Sequence, residues 1–171
     1  MKLTLLFLFV FTLSVAFSQE TNGGKKLWAK SILNQKAPQL VVEKWITPQP
    51  VTTGKFILVD FWATWCGPCK RAIPELNSFN KKFGDRLIVI GISDEPVETV
   101  NQLKDVKIEY YSAVDTRARV KNKLNVTGIP HCILIDPNGI VRWEGFPSLD
   151  GAPLTEEVIA NLLEKYKWAQ F

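Results

Sequence analysis

The run Phe56-Ile57-Leu58-Val59-Asp60-Phe61-Trp62-Ala63-Thr64-Trp65-Cys66-Gly67-Pro68-Cys69-Lys70 decides the fold. Its first seven residues are apolar apart from Asp60, the pattern of a strand buried on both faces. Two cysteines separated by two residues follow, with Pro68 in what reads as the first turn of a helix. Such a pair can close a disulfide or open to a dithiol. At a helix N-terminus, unpaired backbone N–H groups and the helix dipole stabilise a thiolate. The thiolate is the form that attacks disulfides. A bare CxxC is also half of a zinc site. Here no second CxxC follows and no pair of histidines completes a tetrahedral set.

Working outward, the residues predict a helix from about Cys66 to Lys82, kinked at Pro74 and ended by Gly84. Leu40 to Ile46 alternates as a strand, closed by Pro48-Gln49-Pro50. Arg86 to Ser93 reads as a second buried strand. Asp94 is placed to cap a helix running to about Leu103, with Glu95 and Pro96 in its first turn. Tyr110 to Val114 reads as a short strand and Thr116 to Leu124 as a basic helix. His131 to Ile135 is a strand, Asp136-Pro137-Asn138-Gly139 a hairpin turn, and Ile140 to Glu144 its return. Thr155 caps a last helix through about Lys167. The order β-β-α-β-α-β-α-β-β-α implies an α/β fold, a mixed central sheet flanked by helices.

The chain of 171 residues suits one domain with one core. Residues 1–18 have the layout of an export signal: Lys2, the apolar run Leu3 to Val15, then Ala16-Phe17-Ser18 for cleavage. The run is short for a bilayer span, so an uncleaved anchor is the alternative reading. Residues 19–35 read as a flexible mature N-terminus and 36–171 as the folded domain. Export places the protein in a periplasm or cell envelope, where disulfides persist. The net charge of +4, or +3 without Lys2, is too small and scattered for nucleic acid.

The stretch Val59 to Lys70, with Pro74 after it and Gly128-Ile129-Pro130 much later, resembles the thioredoxin superfamily. The layout is similar to its exported TlpA/ResA-like branch, and the strand and helix between Ser93 and Pro130 match that branch's inserted element. The resemblance implies a thiol–disulfide oxidoreductase with a redox-active center and no organic cofactor. Cys66 would attack, and Cys69, one turn inward and less exposed, would resolve the mixed disulfide. Gly67 lets a partner backbone approach, and Pro68 sets φ without losing a needed donor. Asp60 would help move the proton of the buried cysteine, its pKa raised by desolvation. Pro130 matches the family's cis-proline, and Trp65 and Ile129 would line a shallow apolar docking surface. Many ResA-type proteins have a glutamate where this chain has Ala72, so partner choice does not transfer. The implied partners are protein disulfides or dithiols and an upstream thiol reductant, with the chain a monomer. Membrane contact is implied only if the N-terminal segment is retained.

Gly-Pro between the cysteines leans toward a reductant, although CxxC potentials range from roughly −270 to −120 mV. Three other readings compete. Soft thiolates suit Cu(I), so Cys66 and Cys69, with or without His131, could form a copper site. Adjacent strand residues face opposite ways, so His131 is expected on the sheet face away from the thiols. A peroxidase would need a Pro and Thr just before its cysteine, and Thr64 alone does not supply them. A docking module with a vestigial dithiol is the third. Cys132 reads as a small buried hydrophobe.

Overall fold

The structure, a computed structural model, describes residues 27–148 and 152–167. The export-signal segment 1–18 lies outside them. A six-stranded mixed sheet forms the centre, ordered β1-β4-β3-β2-β5-β6. Its strands are β1 Lys44–Trp45, β2 Phe56–Trp62, β3 Leu87–Ser93, β4 Tyr111–Val114, β5 His131–Ile135 and β6 Val141–Gly145. The helices are α1 Gly67–Phe83, α2 Val97–Asn101, α3 Arg119–Lys123 and α4 Glu156–Lys165. β2, β3 and β4 run parallel, while β5 is antiparallel to β2 and β6 to β5. Between β3 and β5 the chain adds β4 and α3, the inserted strand and helix.

Alternation along the central strands divides the core in two. Leu58, Trp62, Leu87, Val89, Cys132 and Leu134 pack with α1 through Ile73, Leu76 and Phe79 and with α4 through Ile159 and Leu163. Val59, Phe61, Ile88, Ile90, Ile92, Ile133 and Ile135 pack with Val120 of α3 and with Ile32. Thr155 caps α4 by accepting from the Val158 N–H, and Gly139 turns the β5–β6 hairpin at φ 76°.

Several boundaries differ from the sequence expectations, each for a local reason. Residues 30–34, expected in the flexible segment 19–35, join the folded unit. Ile32 is buried, and the N–H groups of Lys30, Ile32 and Asn34 donate to Leu124 O, Glu144 Oε2 and Val141 O. The strand expected over Leu40–Ile46 is two residues long, because it lies at the sheet edge and its one strand partner is the four-residue β4. Asp94 caps nothing: Pro96 holds the N-cap position of α2, and Asp94 pairs with Lys121 at 2.7 Å. Past Asn101, α2 tightens into i→i+3 bonds from Gln102 and Leu103. α3 starts at Arg119 because Ala118 is left-handed at φ 49° and the Thr116 N–H donates to Glu43.

Candidate active site

The β2–α1 junction carries the cysteines. Cys66 is the N-cap of α1, and its Sγ accepts from the Cys69 N–H at 3.1 Å. The two are joined in a disulfide with Cα atoms 5.2 Å apart. Cys66 is 3% exposed and Cys69 1%, so the expected contrast in exposure is slight in this oxidised form. Trp65, by contrast, is 70% exposed. Gly67 and Pro68 form the first turn of α1 between the sulfurs. Pro74 lies inside that one continuous helix.

The Gly128-Ile129-Pro130 loop lies across from this junction. The Ile129–Pro130 peptide bond is cis, and the Ile129 carbonyl oxygen is 3.8 Å from Cys66 Sγ. Upstream of the loop, the Thr127 N–H donates to Trp28 O at 2.8 Å, and Trp28 stacks on Phe146 with centroids 4.6 Å apart.

Glu95 and Tyr110, neither of them singled out from the sequence, bond to the segment and the acid that precede the cysteines. Glu95, expected in a helix turn, instead accepts from the Thr64 N–H and hydroxyl, both at 2.6 Å, and from Ser93 Oγ at 3.1 Å. It clamps the loop leading into Cys66. Asp60 is 1% exposed and accepts from the Tyr110 hydroxyl at 3.3 Å and the Cys132 thiol at 3.4 Å. Burial pushes its carboxyl up to about 7, against the lowering pull of those two donors. Cys132 is thus buried as expected, yet bonded to the acid. Tyr110 had no sequence signal of its own. The glycine within the apolar strand β3, Gly91, marks a close approach at this point.

His131 is 1% exposed and stacks on Phe61 at 6.2 Å, on the face opposite Asp60 and Cys132. The structure does not bring it to the cysteines. Among the described residues, no group of three His, Cys, Asp or Glu side chains could hold a metal ion. No described helix is long and apolar enough to cross a membrane. A cavity of about 320 Å³ lined by Trp45, Ile57, Ile90, Ile92 and Ile135 also lies on the far face, and none of the cysteines borders it.

The sequence model of the Thioredoxin-like family matches residues 54–141, just over half of the chain, and includes the cysteines, Asp60 and Pro130. The thiol:disulfide interchange protein DsbE of Escherichia coli K12 is 33% identical over 117 residues, 68% of this chain and 62% of that protein. The thiol-disulfide oxidoreductase ResA of Geobacillus kaustophilus is 28% identical over 67% of this chain and 64% of its own length. The chain therefore spans a little over three-fifths of these two relatives. The thioredoxin domain of a Bacteroides vulgatus thiol-disulfide oxidoreductase shares the fold, with TM-score 0.62 at 23% identity over 80% of this chain and 98% of that one. On the family match, the shared fold and the dithiol at the head of α1, this chain belongs to the thioredoxin-like family.

Proposed function

We propose that the chain is an exported thiol–disulfide oxidoreductase that reduces disulfides of partner proteins. The observation that carries this is the Cys66–Cys69 disulfide at the N-terminus of α1, facing the Ile129 carbonyl. In the reduced protein the Cys66 thiolate attacks one sulfur of the partner disulfide. That S–S bond breaks, and the departing partner sulfur takes a proton. Cys69 gives up its proton and attacks the Cys66 sulfur of the mixed disulfide, releasing the second partner thiol and closing Cys66–Cys69. Two electrons and two protons pass to the partner, and a dithiol of another protein restores the pair.

Asp60 is the acceptor of the Cys69 proton in this scheme. Its carboxyl, at about 7, is balanced between its two forms near neutrality, where an acceptor works best. Trp65, Gly67, Pro68, Ile129 and Pro130 form the docking edge, an exposed indole beside backbone that an extended peptide can approach. The apolar run Leu3 to Val15 acts as the export signal, and the protein works as a monomer in the periplasm or cell envelope.

Reduced full-length protein, with a small dithiol as regenerant, should catalyse the reduction of insulin's interchain disulfides. A rate no higher than that of the dithiol alone would overturn the proposal.

A further inference from the structure

In sheet register, Asp60 lies directly between Gly91 of β3 and Cys132 of β5. The three share one face of the sheet. Each carboxylate oxygen has one donor: the Cys132 thiol reaches Oδ1 at 3.4 Å, and the Tyr110 hydroxyl reaches Oδ2 at 3.3 Å. All three side chains are buried. Gly91 is what admits the phenol, since a Cβ there would sit 2.9 Å from the Tyr110 ring and 3.1 Å from Trp62 Nε1. Any larger residue at this register would occupy the place of Tyr110.

Other ionisable groups on this face include Cys66 and Cys69 at the head of α1, Tyr166 at the end of α4, and Glu75, whose field reaches Cys132. Among the described residues, no cation offsets the burial of Asp60; the opposing influences are the two neutral donors. Burial and the charge of Asp60 keep both the Cys132 thiol and the Tyr110 hydroxyl protonated, far above their ordinary ranges. They therefore donate to the carboxylate and do not compete with it for the proton.

We propose that Tyr110 and Cys132 are positioning residues that favour the ionised form of Asp60, the form that takes the proton of Cys69. The proposal rests on the reading of Asp60 as that acceptor. Two neutral donors stabilise the anion enough to keep it available near neutrality.

The test is the pH dependence of the resolving step: release of a peptide thiol from a mixed disulfide preformed on Cys66 of the full chain. In the wild type the rate should rise with pH through a midpoint near the Asp60 value of about 7. Removing a donor favours the neutral acid, so Tyr110→Phe and Cys132→Ala should each move the midpoint upward by about one unit. That is about a five-fold loss at pH 7, recovered at higher pH. Cys132→Ser keeps a donor and should stay with the wild type. Carboxyl ¹³C titration of Asp60 in the oxidised protein should show the same displacements without turnover. An unmoved midpoint in Tyr110→Phe, where Asp60→Asn does abolish the pH dependence, overturns this proposal alone. A dependence that survives in Asp60→Asn overturns it together with the acceptor role.

Discussion

Cys132 and His131 are consecutive, equally buried, and belong to different halves of the molecule. Cys132 faces α1 and α4, where it bonds the buried acid Asp60. His131 faces the side packed by α3 and Ile32, against the ring of Phe61. The same alternation separates Asp60 from Phe61 one strand away. A sheet one residue thick thus puts reactive groups on one surface and structural packing on the other. A residue type that suggests chemistry tells nothing until its face is known. The strand turns His131 away from the cysteines, so the copper reading retains only Cys66 and Cys69.

If the division holds, changes on the two faces should separate cleanly into losses of activity and losses of stability. Cys66→Ser should lower insulin reduction by at least about 10³-fold, because nothing else on the thiol face can replace the attacking sulfur, while thermal unfolding under reducing conditions shows a fold retained. Phe61→Ala, on the far face, should do the reverse. It should lose about 3–5 kcal/mol in denaturant unfolding and leave the pH midpoint of exchange in place.

Asp60→Asn sharpens the contrast because its sign runs against intuition. Burial raises the carboxyl from 3.8 to about 7, so across that window the folded protein keeps a proton that the unfolded chain releases. Stability therefore falls as pH rises through the window, and the penalty is complete above it. The Asn variant should be more stable than wild type by a few kcal/mol at pH 8, the difference vanishing toward pH 4, while its resolving step slows. Chemical denaturation at the two pH values checks this; equal stabilities at pH 8 would contradict it. The smallest effect belongs to His131→Gln. It should cost about 1 kcal/mol of stability through the lost ring contact and change exchange rates by less than about two-fold. A larger rate change would break the comparison between the faces.

What could be read in advance follows the same physics. β2, β3 and β5 announce themselves as short apolar runs, and Pro68, Gly84 and the Asp136–Gly139 turn punctuate them. Cys66, Cys69 and Asp60 stood out because a dithiol and a carboxylate are conspicuous beside an apolar strand. The short helices were less legible, since side chains decided them. Glu95 turned to Thr64 instead of lying in a first turn, and Ala118 adopted a left-handed conformation that no sequence pattern requires. Tyr110 was hidden for a different reason. Its bond to Asp60 spans 50 residues and needs the gap left by Gly91, a meeting set by register and not by local pattern.

Trapping probes the division of labour between the two sulfurs. A disulfide-bearing peptide is offered to the reduced Cys69→Ser and Cys66→Ser proteins, and the products are mapped by mass spectrometry. A stable peptide adduct should form on Cys66 in the first variant, and little or none on Cys69 in the second. Adducts of equal yield on either cysteine, or none in Cys69→Ser, would contradict that division.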